Sequence, residues 1–217
     1  MSARQPSSRR PARRPAGRRD RYHHGDLRRA LVDAALRLVR REGPRALTLR
    51  AAARLAGVSQ AAPYRHFADK QALLAAVAEE GFRAMTGAMR RAMSEAGEPL
   101  SKFRALGLSY VEFARGHPAH FQVMFGPELA DRTAYPSLAE AAAEAFNLLV
   151  AAIADCQKAG LAREGNPEEL GVTAWSAVHG LSALIVNGQL GARHAPLDEL
   201  GERVTRGLFL GLGPRPA

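Results

Sequence analysis

An all-helical fold is predicted by three features of this 217-residue chain: apolar residues recur at spacings of three and four, alanine is abundant throughout, and no segment alternates long enough to form a strand. With 47% hydrophobic and 24% charged residues, the chain can bury a core as one domain or two small ones. Charge is spread unevenly. Met1 to Lys70 holds 18 basic and 5 acidic residues, whereas Gln71 to Ala217 holds 13 and 16, so one end suits a polyanion and the other a different task.

The first 21 residues contain eight Arg and one acid, with Pro6, Pro11, Pro15 and Gly17 breaking any amphipathic helix. No apolar stretch follows, so a disordered basic arm is expected rather than a targeting leader. The first helix carries Leu27, Ala30, Leu31, Ala34 and Leu38 on one face, with Asp26 as its expected cap, Arg40 and Arg41 in the last turn and Gly43-Pro44 as its stop. A long helix starting near Asp69 bears Leu74, Val77, Phe82, Met85 and Met89. It ends before Gly97-Glu98-Pro99 and connects two parts of the molecule. Further helices are expected over Leu100 to Arg115, Pro118 to Phe125, Pro136 to Ala159, Pro167 to Gly188 and Pro196 to Leu210, four of which begin at a proline, well placed in a first helical turn. The uncharged run Leu170 to Ala192 is long enough to span a bilayer, but Thr173, Ser176, His179 and Ser182 interrupt it. A buried helix of a protein that does not enter the membrane is expected. Cys156, the single cysteine, reads as a small buried hydrophobe.

The informative segment is Thr48 to Leu74. Thr48 can cap a short helix over Leu49 to Ala56, Gly57 can take the left-handed conformation that ends it, and Ser59 can cap a second helix ending near Phe67. Two short helices about one glycine form a helix-turn-helix. A tight crossing needs a small residue four positions before the glycine and an apolar one after it, as Ala53 and Val58 provide. Pro63 lies inside the second helix, where a proline normally costs about 3 kcal/mol; four residues after the cap it forfeits at most one early hydrogen bond.

A helix held in this way fits the DNA major groove, and its candidate contacts are Ser59, Gln60, Ala61, Tyr64 and Arg65. Gln60 can pair bidentately with adenine and Ala61 can touch a thymine methyl, while Tyr64, Thr48, Arg50 and Lys70 can hold phosphates. Asp69 before Lys70 starts the next helix, whose first N–H groups also suit a phosphate. Ahead of this domain, Arg18, Arg19 and Arg21 of the arm are expected to add affinity.

Ala56-Gly57-Val58-Ser59, Tyr64, His66-Phe67, Lys70 and Leu73-Leu74, in one register, resemble the DNA-binding domain of the TetR (tetracycline repressor) family of bacterial transcription regulators. The likeness covers about Arg21 to Leu74. It implies DNA-contact roles for Thr48, Arg50, Ser59, Gln60, Tyr64 and Lys70, and packing roles for His66 and Phe67. A weaker likeness, to a subgroup of the family, rests on Trp175-Ser176-Ala177-Val178-His179-Gly180 and on Gly116 to Phe125.

Trp175 and His179 stand four apart on one helix face, where they can line a cavity or pack together. Tyr110, Phe113, Phe121, Met124, Phe125 and Phe146 form an apolar set at helical spacings; the resemblance implies that an effector cavity lies among such residues. His117 and His120 read as a packed or solvated pair rather than metal ligands, since no acidic or cysteine partner is near in sequence. The sequence has no glycine-rich phosphate loop, CxxC, GxSxG or HExxH, so neither an enzyme, a metal nor a cofactor is expected.

The expected organisation is an arm over 1–21, a helix-turn-helix domain over 22–70, a connecting helix over 71–96 and a helical ligand-binding and dimerisation domain over 97–217. The resemblance implies a cytoplasmic homodimeric repressor that binds a palindromic double-stranded operator and is released by a small-molecule effector. Two alternatives stand beside it: a DNA-binding regulator without an effector, and a helical enzyme or carrier.

Overall fold

The computed structural model describes residues 24–129, 131–190 and 196–213. Among the described residues the chain forms eight α-helices and two short 3-10 turns, and no strand. The predicted arm, with Arg18, Arg19 and Arg21, lies outside the described residues.

Helix α1 spans His24–Glu42 and buries the predicted face through Leu31, Ala34, Ala35 and Leu38. It starts two residues before Asp26, which therefore sits in the first turn rather than at the cap. Gly43 stops the helix at φ 81° and leads into the 3-10 turn Pro44–Ala46. Helix α2, Leu49–Leu55, is capped as expected: the Thr48 hydroxyl oxygen accepts the Ala51 N–H at 3.0 Å. Gly57 then takes φ 72°, which lets the Val58 N–H reach back to the Ala53 carbonyl at 3.0 Å. Ala53 is fully buried at this crossing.

The second helix of the motif differs from the expectation. No α-helix runs from Ser59 to Phe67; the segment holds only a 3-10 turn, Ala62–Arg65, without a side-chain cap. Pro63 explains the change. An α-helix would need an N–H at Pro63 to satisfy the Ser59 carbonyl, and proline has none, so the Ala62 N–H takes that carbonyl at 3.0 Å in the tighter three-residue pattern. The Phe67 N–H still reaches the Pro63 carbonyl at 2.9 Å, so the last turn is closed.

Asp69 caps the 25-residue helix α3, Lys70–Ser94, through the Ala72 N–H at 2.8 Å. Helices α4 (Pro99–Gly116) and α6 (Pro136–Lys158) flank α3, and α5 (Pro118–Phe125) crosses it. Helix α7 (Pro167–Val186) packs on α4 and α6, and α8 (Leu197–Leu212) packs on α4 and α7. The α3–α5 crossing requires a glycine, because a Cβ at Gly81 would lie 2.5 Å from the Met124 sulfur. Cys156 is buried as expected, and burial raises its thiol pKa. Helices α6 and α7 are long and apolar enough to cross a bilayer; here both lie within the bundle, with part of each surface exposed. One continuous core runs from Leu31 in α1 to Leu212 in α8, joining the N-terminal head to the body.

Candidate DNA-binding face and body cavity

The head places its predicted contact residues on one short stretch of surface. Thr48, Arg50, Ser59, Gln60, Ala61, Tyr64 and Arg65 are all exposed, and Tyr64, at 53% exposure, is one of the few large apolar-bodied side chains facing water. Pro63 and Phe67, between and behind them, are buried and anchor the turn to α1, where the Arg28 guanidinium lies 5.6 Å from the Phe67 ring centre. The Thr48 oxygen accepts its cap bond, which leaves the hydroxyl hydrogen available to an external acceptor. Lys70 is half-buried and its ammonium donates to the Arg45 carbonyl at 3.1 Å, so the start of α3 is tied to the Pro44–Ala46 turn.

In the body, α3, α4, α6, α7 and α8, with the end of α5 and the connection after it, line a partly open cavity of about 130 Å³. Four of the predicted ligand residues line it: Tyr110, Phe125, Phe146 and Trp175. The other four do not. Phe113, Phe121 and Met124 are buried in the core instead: Met124 lies against Gly81 of α3, Phe121 packs on the Tyr110, Phe125 and His179 rings, and Phe113 packs on His117. His179 stands behind Tyr110, stacked on Phe121 with ring centres 5.3 Å apart. Sequence reasoning missed Phe82, Met85, Met89, Phe103 and Arg132, which also form the wall. The four apolar ones carry no separate signal, since a cavity-lining and a core position share the same helical spacing.

Trp175 and His179 meet on the Tyr110 hydroxyl. The indole N–H donates to the Tyr110 oxygen at 3.2 Å, and that oxygen lies 2.8 Å from His179 Nδ1. Burial lowers the imidazole pKa, with a further contribution from the Arg132 charge, which favours the neutral ring beside the phenol. Burial also pushes the Tyr110 phenol well above its ordinary range. The Trp-x-x-x-His spacing on α7 thus fixes one tyrosine of α4, combining packing with a place in the cavity wall.

Charged residues in the α5–α6 connection join the two parts. Glu128 accepts from Gln71 of α3 through its carbonyl at 2.9 Å, and its carboxylate lies 3.4 Å from the Arg45 guanidinium. Further along, Asp131 accepts from the Thr133 N–H at 2.8 Å and hydroxyl at 2.6 Å. Those bonds hold its carboxyl below the usual range and shape the turn beside Arg132. His117 lies flat on Phe113 at 4.6 Å, and His120 reaches the Glu80 carboxylate at 3.4 Å. Among the described residues no three His, Cys, Asp or Glu side chains group as metal ligands.

Comparison with known proteins finds a match for the head and another for the body. The family model described as "Bacterial regulatory proteins, tetR family" matches residues 31–77, and that described as "Tetracyclin repressor-like, C-terminal domain" matches residues 103–208. The HTH-type transcriptional regulator BetI of Rhizobium meliloti (strain 1021) is 40% identical over 83 residues, a match spanning 36% of this chain and 39% of that relative. A solved structure of a protein with unknown function from Rhodococcus sp. RHA1 is 37% identical, covers 89% of this chain and 99% of its own, and superposes with a TM-score of 0.78. The TetR family regulator PfmR from Thermus thermophilus shares the fold at 16% identity, with 83% and 97% of the two chains covered and a TM-score of 0.67. With a helix-turn-helix head and a helical body each matched by its own family model, the chain belongs to the TetR family of transcriptional regulators, which are DNA-binding proteins and not enzymes.

Proposed function

We propose that the protein is a cytoplasmic homodimeric repressor that holds a palindromic operator and lets it go when a small molecule fills the body cavity. The observation that carries the DNA side is the exposed group Thr48, Gln60, Tyr64 and Arg65 around a turn pinned by Gly57. Thr48, Arg50, Ser59, Tyr64, Arg65 and Lys70 serve the phosphates, Gln60 and Ala61 read base edges, and Arg18, Arg19 and Arg21 extend the electrostatic contact. Because Pro63 shortens the recognition element to a 3-10 turn, base contacts are few and phosphate contacts supply a large share of the affinity.

Dimerisation is assigned to α7 and α8. Val172, Ser176, Gly180 and Leu184 are exposed at four-residue spacing on α7, an uncharged ridge whose two aliphatic members are 51% and 40% exposed. Ligand coupling runs through α3, which contributes Phe82, Met85 and Met89 to the cavity and carries Lys70 at its other end. The Glu128 bridge to Gln71 and Arg45 gives a second connection. A ligand favouring one tilt of α3 changes the separation of the two recognition elements, which must match major grooves about 34–36 Å apart or a multiple of that.

Fluorescence anisotropy on a selected operator and on an unrelated duplex tests the residue roles. Tyr64→Ala and Lys70→Ala should weaken both duplexes alike, whereas Gln60→Ala should also narrow the gap between them. An unchanged gap for Gln60→Ala would remove its base-reading role.

A further inference from the structure

We propose that the cavity takes an organic carboxylate with a compact apolar body, its head group held by Arg132. This rests on the reading of the cavity as the effector site. Arg132 is the one charged side chain in the wall, which is otherwise built mainly from residues such as Phe82, Met85, Phe103 and Leu149. The other polar groups of the wall are already used. The Trp175 N–H is donated to Tyr110, the Tyr110 hydroxyl is held by His179, and the Thr205 hydroxyl is bonded to the carbonyl of Gly201, one turn back in α8.

Arg132 differs from all of them. Among the described residues no carboxylate lies within 4.0 Å of its guanidinium, which stands over the Phe125 ring, 5.8 Å from its centre. It is half-buried, and its charge also bears on His179, so this end of the cavity holds uncompensated positive potential. A partly desolvated cation without a counter-charge gains from pairing, and a planar carboxylate matches the guanidinium fork bidentately. A neutral ligand would leave the cation unpaired; a cationic one would be repelled. The void limits the other end of the ligand. At about 130 Å³ it is slightly smaller than an apolar cavity of about 150 Å³ known to admit benzene, so the body is a single ring or a short chain rather than a long acyl tail.

Trp175 is the only tryptophan and lines the void, so its emission reports occupancy. The full-length protein is titrated with hexanoate, 1-hexanol and hexylammonium, in parallel with thermal unfolding. Hexanoate should bind at least about tenfold more tightly than 1-hexanol, with hexylammonium weakest. Arg132→Gln should abolish the preference for hexanoate, and Arg132→Lys should keep part of it. If 1-hexanol binds as well as hexanoate, or if Arg132→Gln leaves the preference intact, the carboxylate proposal is wrong while the cavity reading survives. Should none of the three probes change Trp175 emission or raise the unfolding temperature, the cavity reading itself fails, and the proposal with it.

Discussion

In the head, small residues and caps fix where polar side chains stand, whereas in the body large apolar side chains fix the outline of a void. Thr48, Gly57 and Asp69 each set one backbone geometry, and the candidate contact residues follow from them onto the surface. In the body the candidate ligand residues belong to the core-forming apolar set, and only their rotation about α4, α5 and α7 separates Tyr110, Phe125 and Trp175 from Phe113, Phe121 and Met124. A binding face made by turns is local in sequence. One made by helix packing is not.

The largest expected effect contrasts one phenylalanine from each region. Phe67→Ala in the head should lower stability by about 3–5 kcal/mol, read from the denaturant midpoint, because a tightly packed ring 3% exposed leaves a new cavity. Phe146→Ala in the body should lose about half of that or less, since Phe146 is half-buried and already borders open space. Equal losses would mean that the body void closes around its ligand residues in solution.

Next in size is Tyr110→Phe. Removing the hydroxyl strands the Trp175 N–H and the His179 nitrogen together, so a loss of about 1–3 kcal/mol and a shifted Trp175 emission are expected. An unchanged emission spectrum would show that the indole does not depend on that bond. In the head, Gly57→Ala should lose about 1–2 kcal/mol, because φ 72° disfavours any side chain, and DNA affinity should fall along with stability.

The smallest effect is pH-dependent and belongs to the body. His120 and His179 are both held below the ordinary imidazole value, chiefly by burial. For such groups the stability is fully present above the unfolded value of about 6.5 and is lost as pH falls toward the folded values, because the unfolded chain takes up the protons first. The unfolding midpoint should therefore drop between about pH 7.5 and about pH 5, a range that brackets the unfolded value, and His179→Gln should flatten the drop. A midpoint that rises on acidification would contradict this assignment.

Much of the fold is legible in the sequence for physical reasons that differ along the chain. The proline-led helices α5, α6 and α7 begin at Pro118, Pro136 and Pro167 as expected, because a proline in the first turn loses no intrahelical bond. The recognition element is misjudged as an α-helix: the position of Pro63 is plain in the sequence, but its effect depends on the Ser59 carbonyl finding another donor, here Ala62. Arg132 and Glu128 give no periodic signal, since both lie in the connection between α5 and α6, and their importance comes from distant partners: the cavity wall, Arg45 and Gln71.

The central claim is that the head reads a two-fold symmetric DNA site, and it is tested most directly by selecting genomic fragments with the purified full-length protein and sequencing those retained. The account predicts enrichment of one inverted repeat whose half-sites lie about 34–36 Å apart, or a multiple of that distance. Retention of fragments with no shared sequence, or of a shared sequence without two-fold symmetry, would contradict it.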